Sequence, residues 1–289
     1  MENIHNITFE LISKHNSRPF LTDARYIKTK TPKPVILFIH GFKGFKDWGA
    51  FNMVADHFAK AGFVFIKMNF SHNGTTIEYP TDFADLNAFG DNNFSIELDD
   101  TGVLLDHLFS GNCNIPTEEM DLENLYLCGH SRGGAHVMLK ANEDPRVKAI
   151  ATWAAINNLE GWHSEEELAY WKKQGVIYIH NSRTNQDMPL KYQIYENYQA
   201  NRDRLQVPQA VKQLHIPFLL IHGTSDTTVP VEAAYKLKKW NPDIELYILK
   251  GADHTFGATQ PCISTEMPPD TKNISDKTIE FFISIRKNK

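Results

Sequence analysis

The stretch Gly129-His130-Ser131-Arg132-Gly133 fits G-x-S-x-G, follows the apolar run "LYLC" and opens a helix-like segment. Glycines two before and two after a serine leave room for neighbouring chain, so the serine can occupy a strained, sharply turned position with its Oγ presented outward. The following helix would aim its N–H groups and positive dipole end at the same spot. A serine at such a corner is either a nucleophile or an ordinary helix cap. As a nucleophile it is weak and needs a base that is itself oriented by an acid. Two later apolar runs end in such groups: "LLIHGTSDTTVP" carries Asp226 and "LYILKGADHTFG" carries His254. Each has a plainer reading, Asp226 as a turn-and-cap residue before Pro230 and His254 as one of thirteen histidines in an ordinary loop. Asp253 is a rival acid, but side chains of adjacent residues diverge, which favours Asp226. Developing negative charge would need N–H donors. Arg132, the residue after the serine, offers one backbone N–H, and the loop His40-Gly41-Phe42-Lys43-Gly44 offers another at Phe42. That loop could equally be a Gly-rich turn, with His40 structural.

These residues need a scaffold that brings loop ends together. "ITFELI" and "RPFLTDARYI" alternate like half-buried strands and could pair as a hairpin. "PVILFIH", "FVFIKMNF", "LYLCGH", "VKAIATWAA", "PFLLIHG" and "IELYILKG" are short and nearly all apolar, as a parallel sheet covered on both faces requires. Helix-like segments alternate with them: "DWGAFNMVADHFAKAG", "NFSIELDDTGVLLDHLFSG", "GGAHVMLKA", "PVEAAYKLKKW" and "DKTIEFFISIRK". The expected fold class is α/β, a mostly parallel central sheet with helices on both faces and its ligand site at the carboxyl ends of the strands. Residues 157–212 break the rhythm after the sixth strand, reading as a helix, a short hairpin and another helix. They are expected to form an inserted cap on a core of residues 1–156 and 213–289. Trp162, Tyr170, Trp171, Tyr178, Tyr192, Tyr195 and Tyr198 in that insertion should mostly pack, with some lining a pocket.

Composition excludes other classes. The 289 residues, 42% hydrophobic and 22% charged, suit one large domain with a sizeable core. A net charge of −5 opposes nucleic-acid binding, and clustered lysines such as "KLKKW" read as solvated helix faces. No run reaches about 18 apolar residues, and the polar N-terminus lacks a signal-peptide pattern, so no membrane role and a cytoplasmic location are expected. Cys113, Cys128 and Cys262 follow no metal or redox spacing, and Cys128 should be a small core residue.

Taken together, "HGFKGF", "GHSRGG", "HGTSDTTVP" and "GADHTF", in the order serine, acid, base, resemble the α/β-hydrolase superfamily over essentially the whole chain. The chain looks most like the dienelactone-hydrolase-like and serine-aminopeptidase-like branches, and its insertion is similar to that of cinnamoyl or feruloyl esterases. The resemblance implies a serine hydrolase with Ser131, Asp226 and His254 as nucleophile, acid and base, and the N–H groups of Phe42 and Arg132 as oxyanion donors. It implies a small-molecule ester substrate and neither metal nor organic cofactor. Two departures stand out: the loop reads "HGFKG" rather than HGGG, and dienelactone hydrolases proper carry cysteine where this chain has Ser131. "NFSHNGTT" replaces an Arg-Gly-His-Gly loop, so Ser71 and His72 are expected to border the pocket without doing chemistry. An exopeptidase would need an acidic grip on a substrate amine, for which Glu165, Glu166 and Glu167 are available. A non-catalytic binding module of the same fold is the alternative outside enzymes.

Overall fold

A computed structural model describes residues 3–160 and 164–287. The two alternating N-terminal runs form β1 (Ile4–Ile12) and β2 (Pro19–Ile27), paired antiparallel with Ile4 opposite Ile27 and Ile12 opposite Pro19. The apolar runs follow as β3 (Lys33–Ile39), β4 (Val64–Met68), β5 (Met120–His130) and β6 (Ala149–Trp153), with α1 (Phe51–Lys60) between β3 and β4. Helices α2 (Leu86–Asp91) and α3 (Phe94–Phe109) precede β5, and α4 (Arg132–Glu143) joins β5 to β6. Between β6 and the next sheet strand lie α5 (Glu165–Gln174), the hairpin β7 (Val176–Asn181) and β8 (Gln186–Lys191), and α6 (Gln193–Ala200), α7 (Arg202–Leu205) and α8 (Val207–Gln213). The chain ends with β9 (Phe218–Gly223), α9 (Glu232–Trp240), β10 (Glu245–Leu249) and α10 (Pro269–Lys287).

Eight strands form one sheet in the order β1-β2-β4-β3-β5-β6-β9-β10, with β2 antiparallel to both neighbours and every other pair parallel. Helices α1 and α10 pack together on one set of strands, while α3, α4, α8 and α9 form a separate connected group. This is the expected α/β class, an α/β-hydrolase architecture. Strands β3, β4, β5, β6 and β9 show how coverage of both faces selects composition: apart from Leu122 near the start of β5, their apolar side chains are buried. β10 departs from that rule, being half-exposed despite its apolar sequence, because it is an edge strand with a neighbour on one side only.

Chain order reverses at β3, which has β4 on one side and β5 on the other. Such a switch opens a crevice at the strand ends. The loop leaving β3 is tied down there by buried charges. The Lys46 ammonium donates to Asp23 at 2.6 Å and to Asp47 at 2.5 Å, while Lys67 on β4 donates to Asp47 and, at 2.7 Å, to Asn52. The Lys46 N–H also donates to Asn69 Oδ1 at 2.7 Å. Charges out of water are tolerable only when paired, and this pairing fixes the loop on β2 and β4.

The single expected helix around residues 192–206 is two helices that break at Asn201, and α8 begins with proline in its first turn. Helix α2, absent from the sequence reading, is one and a half turns capped by the Asp85 carboxylate on the Ala88 N–H. The 165–213 elements dock on the rest through hydrogen bonds such as Gln193 Nε2 to the Asn92 carbonyl (2.9 Å) and Ser95 Oγ to Asn197 Oδ1 (2.9 Å). Cys128 is fully buried in the core. No helix among the described residues is long and apolar enough to cross a membrane.

Candidate active site

The β5-to-α4 corner places Ser131 at φ 55 and ψ −119, a region that residues with a side chain rarely adopt and that costs on the order of 1–3 kcal/mol. The turn survives because its backbone is held: the Ser131 N–H donates to the Trp153 carbonyl at 2.8 Å, and its carbonyl accepts from the Gly134 N–H at 2.9 Å. It also survives because its neighbours lack side chains. A Cβ at Gly129 would stand 2.2 Å from the Gly133 carbonyl oxygen, and one at Gly133 would stand 2.3 Å from that of Ile39. The glycines therefore permit close approach of backbone, and at Gly133 that approach seats the corner against the end of β3. Although Ser131 occupies the N-cap position of α4, its side chain makes no capping hydrogen bond. The helix-cap reading of this serine fails, and Oγ lies 3.1 Å from His254 Nε2.

His254 follows β10 and Asp226 follows β9, as adjacent parallel strands dictate. Asp226 Oδ2 lies 2.8 Å from His254 Nδ1, while its Oδ1 accepts the Thr228 and Val229 N–H groups at 2.9 and 2.8 Å. One oxygen closes the turn and the other faces the imidazole, while α9 starts further on with Val231 at its N-cap and no side-chain cap. Burial alone would raise its pKa, but hydrogen bonds from His222, His254 and the Val229 N–H hold it well below the usual carboxylate range. An ionised carboxylate can only accept, so Nδ1 of His254 carries the proton and Nε2 presents a lone pair to the serine hydroxyl. Asp253 is turned away, its Oδ1 accepting from the Thr255 and Gly257 N–H groups.

Two histidines that sequence reasoning did not assign complete this cluster. His130 Nε2–H donates to the His254 carbonyl at 2.8 Å, with ring centroids 4.9 Å apart. Burial and then the nearby His254 push its pKa down to about 3, so it is a neutral strut. His222 Nε2–H donates to the Val229 carbonyl at 2.8 Å and lies 3.4 Å from Asp226 Oδ2. The signal available for both was position: one lies inside the G-x-S-x-G stretch, the other at the end of an apolar strand.

The loop after β3 sits beside the corner, with Gly41, Phe42, Lys43 and Gly44 lining one pocket with Ser131 and His254. His40 is structural: its Nδ1–H donates to the Gly41 carbonyl at 2.9 Å, and Asn73 Nδ2 approaches its Nε2 at 3.4 Å. Burial lowers its pKa to about 4. The side chains of Phe42 and Arg132 meet, the guanidinium lying 4.6 Å from the Phe42 ring centroid and 5.8 Å from that of Phe94. Arg132 also donates to Glu97 Oε1 at 2.5 Å, a buried ion pair. The two residues expected to supply N–H donors are thus joined through their side chains.

The Ser131 pocket encloses about 60 Å³ and is completed by Trp48, Phe51, Arg183 and Thr255. A larger cavity of about 220 Å³ lies elsewhere, among Phe94, Leu159, Trp171, Ile194, Tyr195 and Tyr198. The aromatic residues of the insertion therefore divide. Trp171 and Tyr198 are buried, Tyr192 and Tyr195 pack on the core, Tyr170 and Tyr178 are exposed, and Trp162 lies outside the described residues. None of the described ones lines the Ser131 pocket, which instead receives Arg183 from the β7–β8 turn, a residue with no sequence signal. Ser71 and His72 do not border this pocket: they are buried against each other, Oγ to Nδ1 at 2.7 Å, and the Ser71 N–H donates to Asp100. Glu165, Glu166 and Glu167 form the exposed first turn of α5, where Glu167 closes a capping box with Ser164. Among the described residues no group of three or more His, Cys, Asp or Glu is arranged to hold a metal ion.

Comparison with known proteins gives three kinds of result. No curated protein sequence matches the chain. Among solved structures, Est1E from Butyrivibrio proteoclasticus matches with a TM-score of 0.67 at 17% identity, over 95% of this chain and 98% of that one. The esterase domain of a Rhodothermus marinus protein matches at 0.62 and 20%, over 96% and 97%, respectively. The Paleococcus ferrophilus monoacylglycerol lipase matches at 0.63 and 14%, over 98% and 99%. At these identities the likeness is one of fold. The prolyl oligopeptidase family model matches residues 50–265, well over half of the sequence. The chain belongs to the prolyl oligopeptidase family and is a serine hydrolase of α/β-hydrolase fold.

Proposed function

We propose that the protein hydrolyses carboxylic esters of small to medium size through an acyl-enzyme intermediate. The observation that carries this reading is the continuous hydrogen-bonded chain from Asp226 Oδ2 through His254 to Ser131 Oγ, 2.8 and 3.1 Å long, at a strained corner. In the first half-reaction His254 Nε2 takes the hydroxyl proton as Oγ attacks the carbonyl carbon. The backbone N–H groups of Phe42 and Arg132 hold the resulting oxyanion, and Asp226 steadies the imidazolium. His254 then returns the proton to the departing alcohol. Water, activated by the same imidazole, releases the acid and restores Ser131. Residues 157–212 serve as the cap, reaching the site through Arg183.

The test is initial-rate kinetics on p-nitrophenyl esters of increasing acyl length and on aminoacyl p-nitroanilides, with wild type and Ser131→Ala compared. Ester turnover should fall on the order of 10⁶-fold in the variant. Unchanged turnover would refute the nucleophile assignment. The family match favours peptide bonds as the second reading, and faster anilide than ester turnover would select it. Failure of a fluorophosphonate to label Ser131 would instead favour a binding module.

A further inference from the structure

Among the described residues, the Ser131 pocket is lined by two cations and no carboxylate. Lys43 follows Phe42 on the loop after β3, and Arg183 reaches in from the β7–β8 turn, both lining the pocket with Ser131 and His254. They are held side by side, since the Arg183 guanidinium donates to the Lys43 carbonyl at 3.2 Å. Aromatic faces steady both stems, with Lys43 Nζ 5.9 Å from the Phe42 ring centroid and the Arg183 guanidinium 5.3 Å from that of Trp48. Neither has a carboxylate partner among the described residues, whereas the other arginines of this region do: Arg132 is closed onto Glu97 and Arg204 onto Asp99 and Glu143.

The surrounding groups do not neutralise them. Asp226 lies behind His254 and is bonded to it, Asp253 is turned into its own loop, and His130 is neutral. Desolvation lowers the pKa of both cations, and for Lys43 the neighbouring Arg183 lowers it further, with no opposing carboxylate. Two like charges held together, partly desolvated and without a counterion, are an arrangement that an anion relieves.

We propose that the ester cleaved at Ser131 carries an anionic group, a carboxylate or phosphate close to the scissile bond, which Lys43 and Arg183 bind at the pocket mouth. The proposal rests on the reading of Ser131 as nucleophile and narrows its substrate class. Lys43 and Arg183 are specificity residues and take no part in bond breaking. The anion adds charge-assisted hydrogen bonds to a site whose aromatic walls limit competing hydration.

The experiment compares four aryl acetates differing in the para group: methyl, carboxylate, phosphate and trimethylammonium. Methyl benzoate and monomethyl terephthalate supply the same contrast on the acid side. Each kcat/KM is divided by the ester's own hydroxide rate to remove leaving-group effects. Wild type should favour an anionic ester over its neutral partner by at least about tenfold and disfavour the cation, and the preference should shrink with added salt. The carboxylate and phosphate arms distinguish the two sources of charge. Arg183→Gln should cut the anion preference severalfold, and Lys43→Gln with Arg183→Gln should abolish it. Equal normalised rates for neutral and anionic esters in wild type, with turnover still lost in Ser131→Ala, would overturn this proposal alone. Calorimetric binding of monomethyl terephthalate against methyl 4-methylbenzoate to Ser131→Ala reads the same preference without turnover. Failure of the hydrolytic reading therefore leaves the cation pair tested: tighter binding of the anion supports it, and equal binding refutes it.

Discussion

Glu97→Leu probes whether the Arg132 ion pair is structural scaffolding for the serine corner. Both side chains are buried, at 3% and 8% exposure, and Arg132 Nη2 donates to Glu97 Oε1 at 2.5 Å. The same oxygen accepts from Asn92 Nδ2 at 2.7 Å. Burial raises the pKa of Glu97 despite the opposing charge of Arg132 and the hydrogen bond from Asn92, so desolvation outweighs the attraction. The pair is therefore costly to break but not costly to replace. Leaving the guanidinium buried and unpaired should cost about 3–5 kcal/mol, which at roughly 2 °C per kcal/mol for a chain of this size lowers the melting temperature by roughly 6–10 °C. Glu97→Leu combined with Arg132→Met removes both charges and keeps an adaptable side chain against the Phe42 and Phe94 rings. It forfeits the cation–π contacts, about 0.5–2 kcal/mol in all, and should recover to within about 2 kcal/mol of wild type. Chemical denaturation of wild type, both single variants and the double variant gives the complete cycle. Fluorophosphonate labelling of each folded variant then reports on the corner, and the single variants should label more slowly than the double. A loss under about 1 kcal/mol in Glu97→Leu, or a double variant less stable than the worse single, would refute the reasoning.

Other substitutions separate chemistry from scaffold. Asp226→Asn keeps an oxygen for the Thr228 and Val229 N–H groups but no longer fixes the His254 tautomer, so kcat on esters should fall on the order of 10⁴-fold, and the melting temperature should drop as well because the carboxylate favoured by its hydrogen bonds is gone. A loss under tenfold would show that Asp226 does not orient the base. Gly133→Ala forces a methyl group to 2.3 Å from the Ile39 carbonyl oxygen and 2.6 Å from that of His40, both backbone, and should yield insoluble protein or a loss of more than about 3 kcal/mol. A soluble, fully active Gly133→Ala protein would show that the corner does not press on β3. On acidification, His40 and His130 are held by burial down to about 4 and about 3, respectively, while the unfolded chain takes up protons from about pH 6.5. The unfolded state then binds more protons, so stability should fall by about 1.4 kcal/mol per pH unit for each histidine between pH 6 and 4. Asp226, held below the carboxylate range, adds its own loss only below about pH 4. Denaturant titrations at pH 7, 6 and 5 showing no decline would mean that these imidazoles are not buried and neutral.

The sequence by itself determined the elements that use local or repetitive signals. Continuous apolar runs suit strands covered on both faces, and they marked six strands of the main sheet, while alternation marked β1 and β2. The glycines around Ser131 marked the corner, because only residues without Cβ permit backbone contacts of the kind found between Gly129 and Gly133. Asp226 and His254 were legible because each directly follows an apolar strand, and adjacency of β9 and β10 then places them side by side. Helix boundaries were less legible: neither glycine nor proline marks the break at Asn201, and α2 is only six residues long. Only the tertiary structure decided that the Ser131 hydroxyl caps nothing, that His130 and His222 lie against His254 and Asp226, and that Ser71 and His72 are not among the residues lining the Ser131 pocket. It alone brought Arg183 beside Lys43, across 140 residues of chain. Strand and corner identity follow from the chemistry of neighbouring residues, whereas an unpaired charge or a braced histidine is a property of whatever distant segment the fold delivers against it.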